Sequence, residues 1–256
     1  MRIEVSEFGA APVDDPRCYP GQIPGYSYLL VRDAVYPLEA GSARRLAPLE
    51  HRHAVLFYGS NAAPAQLARK YANSSVEVVV PAVLGIAHGL DVVYSSHISP
   101  YGAVPATLIA SPGTSIGVHM GFIDHEEVGV LDGTEPNYRR RRLSGRDYSA
   151  SLEWGEALDS YTVYLSRHGV LLVDGAPRRV AGVRAEGSSL EAATEESILE
   201  EVIELWNRDH PTELIAGTNA YLNGIRTRAL APADLTSWLR RRHAVHGLSP
   251  CSSRPA

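Results

Sequence analysis

A tetrapeptide at 58–61, Tyr-Gly-Ser-Asn, is the first stretch whose residue types and spacing could do chemistry. It follows an apolar run at 54–57, typical of a buried strand, and precedes 64–71, whose leading proline is typical of a first helical turn. Gly59 allows unusual backbone angles or the close approach of a ligand. The free N–H groups of such a turn and helix start favour an anion, for example a carboxylate. An ordinary strand–loop–helix junction would show the same pattern.

Two residues are candidate nucleophiles for an amide or ester hydrolase. They are Ser60 and Cys18, and neither lies in the Gly-x-Ser-x-Gly elbow that exposes a nucleophilic serine. We therefore expect the Ser60 hydroxyl to bind the loop or a ligand. For Asn61 two interpretations stay open, since its side chain can cap the following helix or contact a substrate.

The histidines and arginines also allow two interpretations each. His51 and His53 would share one side of a strand, as half of a metal site or as a solvated pair. His119 and His125 are either proton carriers or structural residues. The arginines at 139–142 alternate across a strand, which predicts a solvated edge strand or carboxylate recognition by one of them.

Composition excludes several classes of protein. The chain has 256 residues, is 45% hydrophobic and 21% charged, and carries a formal net charge of -5, which argues against nucleic-acid binding. Its two cysteines, Cys18 and Cys251, make no disulfide framework and no Cys-x-x-Cys pair. No segment reaches the roughly 20 apolar residues of a membrane span, and the N-terminus lacks the apolar core of a signal peptide. A cytoplasmic protein that binds no membrane is therefore predicted.

Short strands separated by turn signals predict an antiparallel barrel or sandwich. Pro81 predicts an edge or a bulge, and Ser111, Pro112 and Gly113 predict a turn. Asp174 and Gly175 predict a hairpin. The predicted strands are 26–31, 54–57, 76–84, 88–94, 104–110, 115–123, 138–143 and 161–166.

Helices are predicted mainly after the strands. Acidic residues open one at 124–133, and Pro136 breaks the chain after it. A capping box from Ser188 to Glu191 predicts the start of a second, and Pro232 the start of a last one. Trp206 and Trp238 are predicted core residues of these helices. The predicted organisation is an N-terminal extension at 1–50 packed on the core, a main domain at 51–185, a helical extension at 186–248 and a disordered tail at 249–256.

Several separate stretches together resemble the γ-glutamylcyclotransferase-like family. Its members show a strand entering Tyr-Gly-Ser-Asn, then a Gly-rich segment ending in Ala-Thr and followed by Pro-x-Gly, then a helix ending in Leu-Asp-x-x-Glu. The corresponding stretches here are 58–61, 105–108, 112–113 (without the intervening residue) and 131–135. The resemblance covers roughly residues 53 to 166, under half of the chain. Its specificity comes from the order and spacing of the motifs together.

The resemblance implies an α+β fold, a small mixed, mainly antiparallel β-barrel with outer helices, here with a C-terminal helical extension. It also implies that Glu135 is the catalytic general acid/base. Two departures are that Pro136 follows the glutamate where the family usually has glycine, and that the next tyrosine comes sooner than in better-known members. The residues assigned to substrate binding by resemblance are Tyr58, Gly59, Ser60, Asn61 and Tyr138.

The implied reaction is an intramolecular aminolysis. The α-amine of a γ-glutamyl group attacks its own γ-carbonyl, giving 5-oxoproline and a free amine. One carboxyl group can accept the proton of the attacking amine and then deliver it to the leaving nitrogen. The chain shows no P-loop and no dinucleotide fingerprint, so no cofactor and no metal is predicted. The alternative is a non-catalytic small-molecule-binding or regulatory module on the same fold. The leaving amine and the oligomeric state stay open.

Overall fold

The computed structural model of the protein describes residues 1–39, 42 and 49–248. Within them the chain forms a mixed α+β structure with one large, mostly antiparallel sheet and five α-helices. The tail at 249–256, predicted to be disordered, lies outside the described residues. The helices are α1 (Pro64–Tyr71), α2 (His125–Thr134), α3 (Glu195–Asp209), α4 (Thr218–Arg226) and α5 (Pro232–Arg242).

The strands include two that are far longer than the rest. In chain order the strands are β1 (Ile3–Glu4), β2 (Tyr28–Val31), β3 (Ala34–Pro37), β4 (His53–Phe57), β5 (Val79–Tyr94), β6 (Ala106–Ile123), β7 (Tyr138–Ser144), β8 (Ala150–Leu152), β9 (Ser160–Ser166), β10 (Val170–Val173), β11 (Ala176–Pro177), β12 (Arg179–Val180), β13 (Ala185–Glu186), β14 (Ala192–Ala193) and β15 (Ala244–Val245).

The main path of the large sheet runs β1-β3-β2-β5-β6-β4-β9-β7. Neighbours along it are antiparallel except β4 and β9, which pair in parallel. The path starts at β1 and ends at β7, and no pairing between described residues joins those two strands. The predicted mainly antiparallel sheet is thus present, but its hydrogen bonds do not close it into a barrel within the described part of the chain.

The predicted strand breaks in β5 and β6 are wrong. The segments predicted at 76–84 and 88–94 form one strand, and those at 104–110 and 115–123 form another. The reason is the register, which pairs His88 with Ser115 but Leu90 with Ala110. Residues 111–113, which were predicted to form a turn, therefore belong to a bulge opposite Gly89, and the strand continues on both sides of it. Pro81 pairs with Leu29 and causes no bulge.

Helix α2 begins with a capping box. The Asp124 side chain accepts a hydrogen bond from the Glu127 N–H, and the Glu127 side chain accepts one from the Asp124 N–H, both at 2.8 Å. Glu127 is fully buried and also binds Arg52 at 2.8 Å. Two of the N–H groups at the helix start are therefore satisfied, and the pair with Arg52 holds α2 against the sheet. The position of α2 determines where Glu135, the residue that follows the helix, lies.

Residues 1–39 contribute to the large sheet and to its core. Strand β2 pairs with β5 over four residues, and Tyr28 and Leu30 are fully buried. The Tyr28 hydroxyl donates a hydrogen bond to the Ala62 carbonyl, at 2.9 Å. The start of β2 thus lies close to the 3-10 helix at Ser60–Ala62, which contains the end of the turn at 58–61.

The C-terminal helices begin later than the capping-box prediction, which is wrong. Thr194 caps α3 by accepting a hydrogen bond from the Ser197 N–H, whereas the Ser188 hydroxyl binds Asp91. Sequence patterns did not predict α4. Its Tyr221 donates to the Gly102 carbonyl at 3.0 Å, so the helical segment is attached to the loop before β6. Trp238 is buried and Trp206 packs edge-on against it.

None of the helices formed by residues 1–39, 42 and 49–248 has the length and apolarity needed to cross a bilayer.

Candidate active site

The turn at the end of β4 needs a glycine for reasons of space. A Cβ atom at Gly59 would lie 2.9 Å from the Tyr19 hydroxyl oxygen, well inside a normal contact. The absence of a side chain therefore allows the N-terminal segment to approach the turn closely. A short 3-10 helix, Ser60–Ala62, follows, and then Pro64 opens α1.

The same turn presents backbone N–H groups. The first hydrogen bonds of the 3-10 helix run from the Ala62 N–H to Gly59 and from the Ala63 N–H to Ser60. The N–H groups of Ser60 and Asn61 precede them, so they have no acceptor within that helix. Such groups can bind an anion or a developing oxyanion.

Glu135 ends α2 and meets this turn. Its backbone leaves the helical conformation, and Pro136 cannot continue the hydrogen-bond ladder. The Asn61 side-chain amide donates to Glu135 Oε1 at 3.0 Å, and the Lys70 ammonium pairs with the same oxygen. The Lys70 and Glu135 side chains are only 10% and 11% exposed. Residues distant in sequence thus place a carboxylate, an ammonium and an amide together.

These groups surround a cavity of about 330 Å³. Every predicted site residue lines it: Tyr58, Gly59, Ser60, Asn61, Glu135 and Tyr138. Sequence analysis missed several others, namely Tyr19, Lys70, His97, Tyr101 and Tyr164. The only sequence signal for Lys70 was its place in a helix next to the turn, and none pointed to Tyr19.

Tyrosines form much of the cavity wall and act as neutral groups. The Tyr58 hydroxyl donates to the Tyr164 carbonyl, and the Tyr138 hydroxyl donates to the Ala106 carbonyl at 2.8 Å. Burial, aided by the charge of Glu135, raises the pKa of Tyr58 far above its usual value, and burial does the same for the pKa of Tyr138. Neither tyrosine can therefore act as a base near neutral pH.

Asn61 has an unused acceptor. No side-chain cap is found for α1, whose N-cap residue is Ala63, so the capping interpretation of Asn61 is wrong. Its Oδ1 atom is buried without a hydrogen-bond partner among the described residues. An unpaired buried acceptor is costly unless a donor reaches it. An ammonium or N–H group of a bound molecule would supply that donor.

His97 is a buried base at the edge of the cavity. Its Nδ1 lies 2.8 Å from the Ser95 hydroxyl, and its ring stacks on His168 and contacts the edge of the Tyr138 ring. Burial, with a smaller contribution from His168, lowers the pKa of His97 to about 3. The ring is neutral at physiological pH and can accept or donate a hydrogen bond, but it carries no charge.

The other predicted histidines do not line this cavity. His119 is buried elsewhere, near the Tyr26 carbonyl at 3.1 Å, while His125, His51 and His53 are exposed. Across the described residues, no group of three or more histidine, cysteine or acidic side chains could hold a metal ion. Among the described residues, Glu135 is the one carboxyl group that lines this cavity.

The predicted nucleophiles lack activating partners. Ser60 lines the cavity, but no histidine among the described residues is hydrogen-bonded to it. The Cys18 thiol donates to the Asp15 carbonyl at 2.9 Å, and burial together with the Asp15 charge raises its pKa. A thiol with a raised pKa is a weak nucleophile.

The arginines at 139–142 lie on β7, at the end of the sheet path, and are exposed. Arg140 pairs with Asp132 at 2.8 Å, and Arg142 binds the Ser160 hydroxyl. The four do not line the cavity, so they recognise no carboxylate there.

No protein-family model and no curated protein matches this sequence. Among solved structures, a γ-glutamyl cyclotransferase is 11% identical, covers 74% of this chain and 98% of its own, and has a TM-score of 0.36. An uncharacterised human protein is 13% identical, covers 69% of this chain and 99% of its own, and has a TM-score of 0.38. A protein from Arabidopsis thaliana solved in solution is 19% identical and covers 44% of this chain, with a TM-score of 0.32.

The match to the Arabidopsis protein spans 61% of that protein, less than two thirds of its length. A γ-glutamyl cyclotransferase is among the structures that this chain resembles, as the sequence motifs predicted. Because these TM-scores all lie below 0.4, a function has to be inferred from the site itself.

Proposed function

We propose that the protein is an enzyme of the γ-glutamylcyclotransferase type, which cleaves a γ-glutamyl amide into 5-oxoproline and a free amine. The observation that carries the proposal is the position of the Glu135 carboxylate, which shares a small cavity with the turn at 58–61 and is bound by Asn61 and Lys70. Residues 51–185 would be the catalytic domain, with the large sheet as the counterpart of the family's barrel. Residues 1–50 and 186–248 would then be extensions.

In the proposed reaction, the substrate's α-nitrogen attacks its γ-carbonyl carbon. Glu135 accepts the proton that this nitrogen loses, while the new carbon–nitrogen bond closes a five-membered ring. The carbonyl oxygen becomes an oxyanion, which the free N–H groups at the turn are suited to stabilise. Glu135 then gives its proton to the leaving nitrogen, the old carbon–nitrogen bond breaks, and the oxyanion returns to a carbonyl. Both reacting groups belong to one molecule, so positioning supplies much of the rate.

Lys70 and Asn61 suit a positioning role. Both contact Oε1 of Glu135, and no hydrogen bond from a described residue reaches Oε2. The carboxylate is thereby held in one orientation with its second oxygen available for the reacting nitrogens. Asn61 Oδ1, which is unpaired, would accept a hydrogen bond from the substrate's α-ammonium or amine.

One observation favours the alternative, a binding or regulatory module without turnover. The Lys70 ammonium occupies one oxygen of the only acid that lines the cavity among the described residues, and an ion-paired carboxylate can serve recognition alone. In that case γ-glutamyl compounds would bind and leave unchanged.

The deciding experiment is an incubation of the purified protein with a panel of γ-glutamyl amines, with 5-oxoproline measured by mass spectrometry. We expect 5-oxoproline and the matching amine in equal amounts from at least one substrate, and a strong loss in the Glu135→Gln variant. Binding of the panel without any 5-oxoproline would support the module instead. Equal rates for wild type and Glu135→Gln would exclude Glu135 as the acid/base.

A further inference from the structure

A wide groove adjoins the cavity and offers a path for the leaving group. It has a volume of about 1180 Å³, against about 330 Å³ for the cavity. Four residues line both spaces: Val13, Pro100, Tyr101 and Asn137. The two spaces therefore adjoin at these residues, and the groove is the space beside the cavity into which the rest of a substrate bound at Glu135 could extend.

The far wall of the groove belongs to the C-terminal helices. Asn223 and Arg226 of α4, Arg228 of the following loop, and Arg240 of α5 line it. This segment is tied to the site, since the Thr236 hydroxyl accepts a hydrogen bond from the Ile98 N–H at 2.9 Å. The helical extension thus forms one side of the space beyond the reacting centre.

The charges of the groove do not balance. Its two acids are both paired, since Asp14 binds Arg69 at 2.9 Å and Asp15 binds Arg17 at 3.0 Å. No ion pair among the described residues involves Arg228 or Arg240. Arg226 donates a hydrogen bond to the uncharged Asn223 side chain at 2.9 Å, and no ion pair between described residues involves it. Three arginines therefore leave a net positive charge on this wall.

The positive field extends to the floor of the groove. His168 lies there, with its Nε2 atom 3.0 Å from the Asn137 side-chain oxygen. Burial lowers the pKa of His168, and the charges of Arg240 and Arg167 lower it further. The arginine charges that disfavour a protonated His168 would also repel a cationic ligand.

We infer that the groove binds the leaving part of the substrate, and that this part is an extended amine carrying carboxylate or phosphate groups. The inference rests on the proposed function for the identity of the γ-glutamyl end, but the charge preference rests on the groove alone. Arginine guanidinium groups bind carboxylates and phosphates in the same bidentate way, so the groove would recognise an amine that carries either group. A polyamine, which is cationic, is excluded as the preferred leaving group.

The test uses binding, which does not depend on turnover. Isothermal titration calorimetry would use the full-length chain with Glu135→Gln, so that the amides are not cleaved during the titration. It would compare four γ-glutamyl amides, whose amines are diglutamate, O-phosphoethanolamine, butylamine and putrescine. An Arg228→Asn, Arg240→Ala double variant removes two of the charges. Asparagine is used because Arg228 has a φ of 60°, a left-handed backbone conformation that asparagine tolerates. An Arg241→Ala, Arg242→Ala double variant is the matched control, since these exposed arginines of α5 do not line the groove.

We expect one of the anionic amides to bind the Glu135→Gln chain at least about tenfold more tightly than the putrescine amide, as is reasonable for several exposed charges that act together. The groove variant should reduce this ratio to within about threefold, and so should salt raised from about 50 to about 500 mM. The control variant, also with Glu135→Gln, should keep the ratio found without the arginine substitutions. Whichever anion binds more tightly identifies the source as carboxylate or phosphate.

The inference is overturned if the putrescine amide binds as tightly as both anionic amides, or if the groove variant keeps the preference. Failure of the proposed function looks different. In that case no amide yields 5-oxoproline, while the anionic preference and its loss in the groove variant persist. Conversely, all four amides could bind equally and release 5-oxoproline equally. That result would support the proposed reaction and exclude the proposed role of the groove.

Discussion

The two carboxyl groups at Glu135 and Glu195 are both shielded from solvent, yet they differ in every property that chemistry requires. Glu135 lines an open cavity and binds a lysine and an amide through one oxygen. Glu195 is 1% exposed, accepts one hydrogen bond from the Val104 N–H at 2.6 Å, and leaves its Oε2 atom without a partner among the described residues. No cation compensates it in any ion pair of the described chain.

The consequence for Glu195 is a neutral acid. Burial raises the pKa of its carboxyl well above the usual value, and the single N–H bond lowers it only in part. Glu195 therefore stays protonated where an exposed glutamate is charged, and no ligand can reach it. The comparison teaches that burial alone produces a structural acid, whereas an acid that lines a cavity and has charged partners is suited to move a proton.

The largest effect is expected for Glu135→Gln, which keeps the shape of the side chain and removes proton transfer. The rate of 5-oxoproline release should fall by about 10²- to 10⁴-fold, the usual contribution of a general acid/base. Steady-state kinetics with the most reactive γ-glutamyl amide would measure it. Glu126→Gln, on an exposed position of the same helix, is the control and should react at the wild-type rate. A Glu195→Gln enzyme that lost as much activity as Glu135→Gln would break the comparison.

The next effect tests the partner that distinguishes the two acids. Lys70→Met retains an apolar stem of similar length and removes the ammonium that holds Glu135 Oε1. We expect kcat to fall by about 10- to 100-fold because the carboxylate loses its fixed orientation. Arg69→Met, one position earlier on α1 and paired only at the surface with Asp14, is the matched control. An unchanged kcat in Lys70→Met would show that the ion pair serves only stability or binding.

A smaller effect is expected for the buried Glu195, and it concerns the free energy of unfolding. The folded-state pKa of Glu195 lies above its unfolded value, so its contribution to stability is complete at low pH and is lost as pH rises towards the folded pKa. The substitution Glu195→Gln should therefore be more stabilising at pH 8 than at pH 4. The difference between its effects on the free energy of unfolding at the two pH values should be about 1–3 kcal/mol. Urea denaturation at the two pH values measures this. Glu196→Gln, which changes an exposed neighbour, should show no such difference.

A further effect on stability extends the comparison to a buried base. The pKa of His97 is lowered to about 3, below the value near 6.5 of an unfolded chain. The unfolded state therefore binds more protons between these values, and stability falls as pH drops through that window, by at most about 1.4 kcal/mol per pH unit. His97→Gln should reduce this slope, and His53→Gln, an exposed control, should leave it unchanged. Identical slopes in all three proteins would contradict neutral burial of His97.

Local patterns predicted much of what surrounds the site. The apolar run before Gly59, the proline at the start of α1 and the acids opening α2 act through neighbouring residues, and all three elements form where expected. Local patterns failed where distant pairing decided the outcome. The proline and glycine at 112–113 would end an isolated strand, but the long register with β5 carries β6 through them as a bulge. Likewise, Ser188 was predicted to cap a helix, but its hydroxyl donates a hydrogen bond to the distant Asp91.

By itself, the sequence determined which short segments become strands, turns and helices around 58–61 and 124–135, because capping, proline geometry and apolar periodicity act over a few residues. Only the tertiary structure decided that Lys70, Tyr19 and His97 join Glu135 in one cavity, and that arginines of the C-terminal helices line the adjoining groove. Those neighbours come from elements far apart along the chain. Their meeting depends on sheet register and helix packing, which no local pattern encodes.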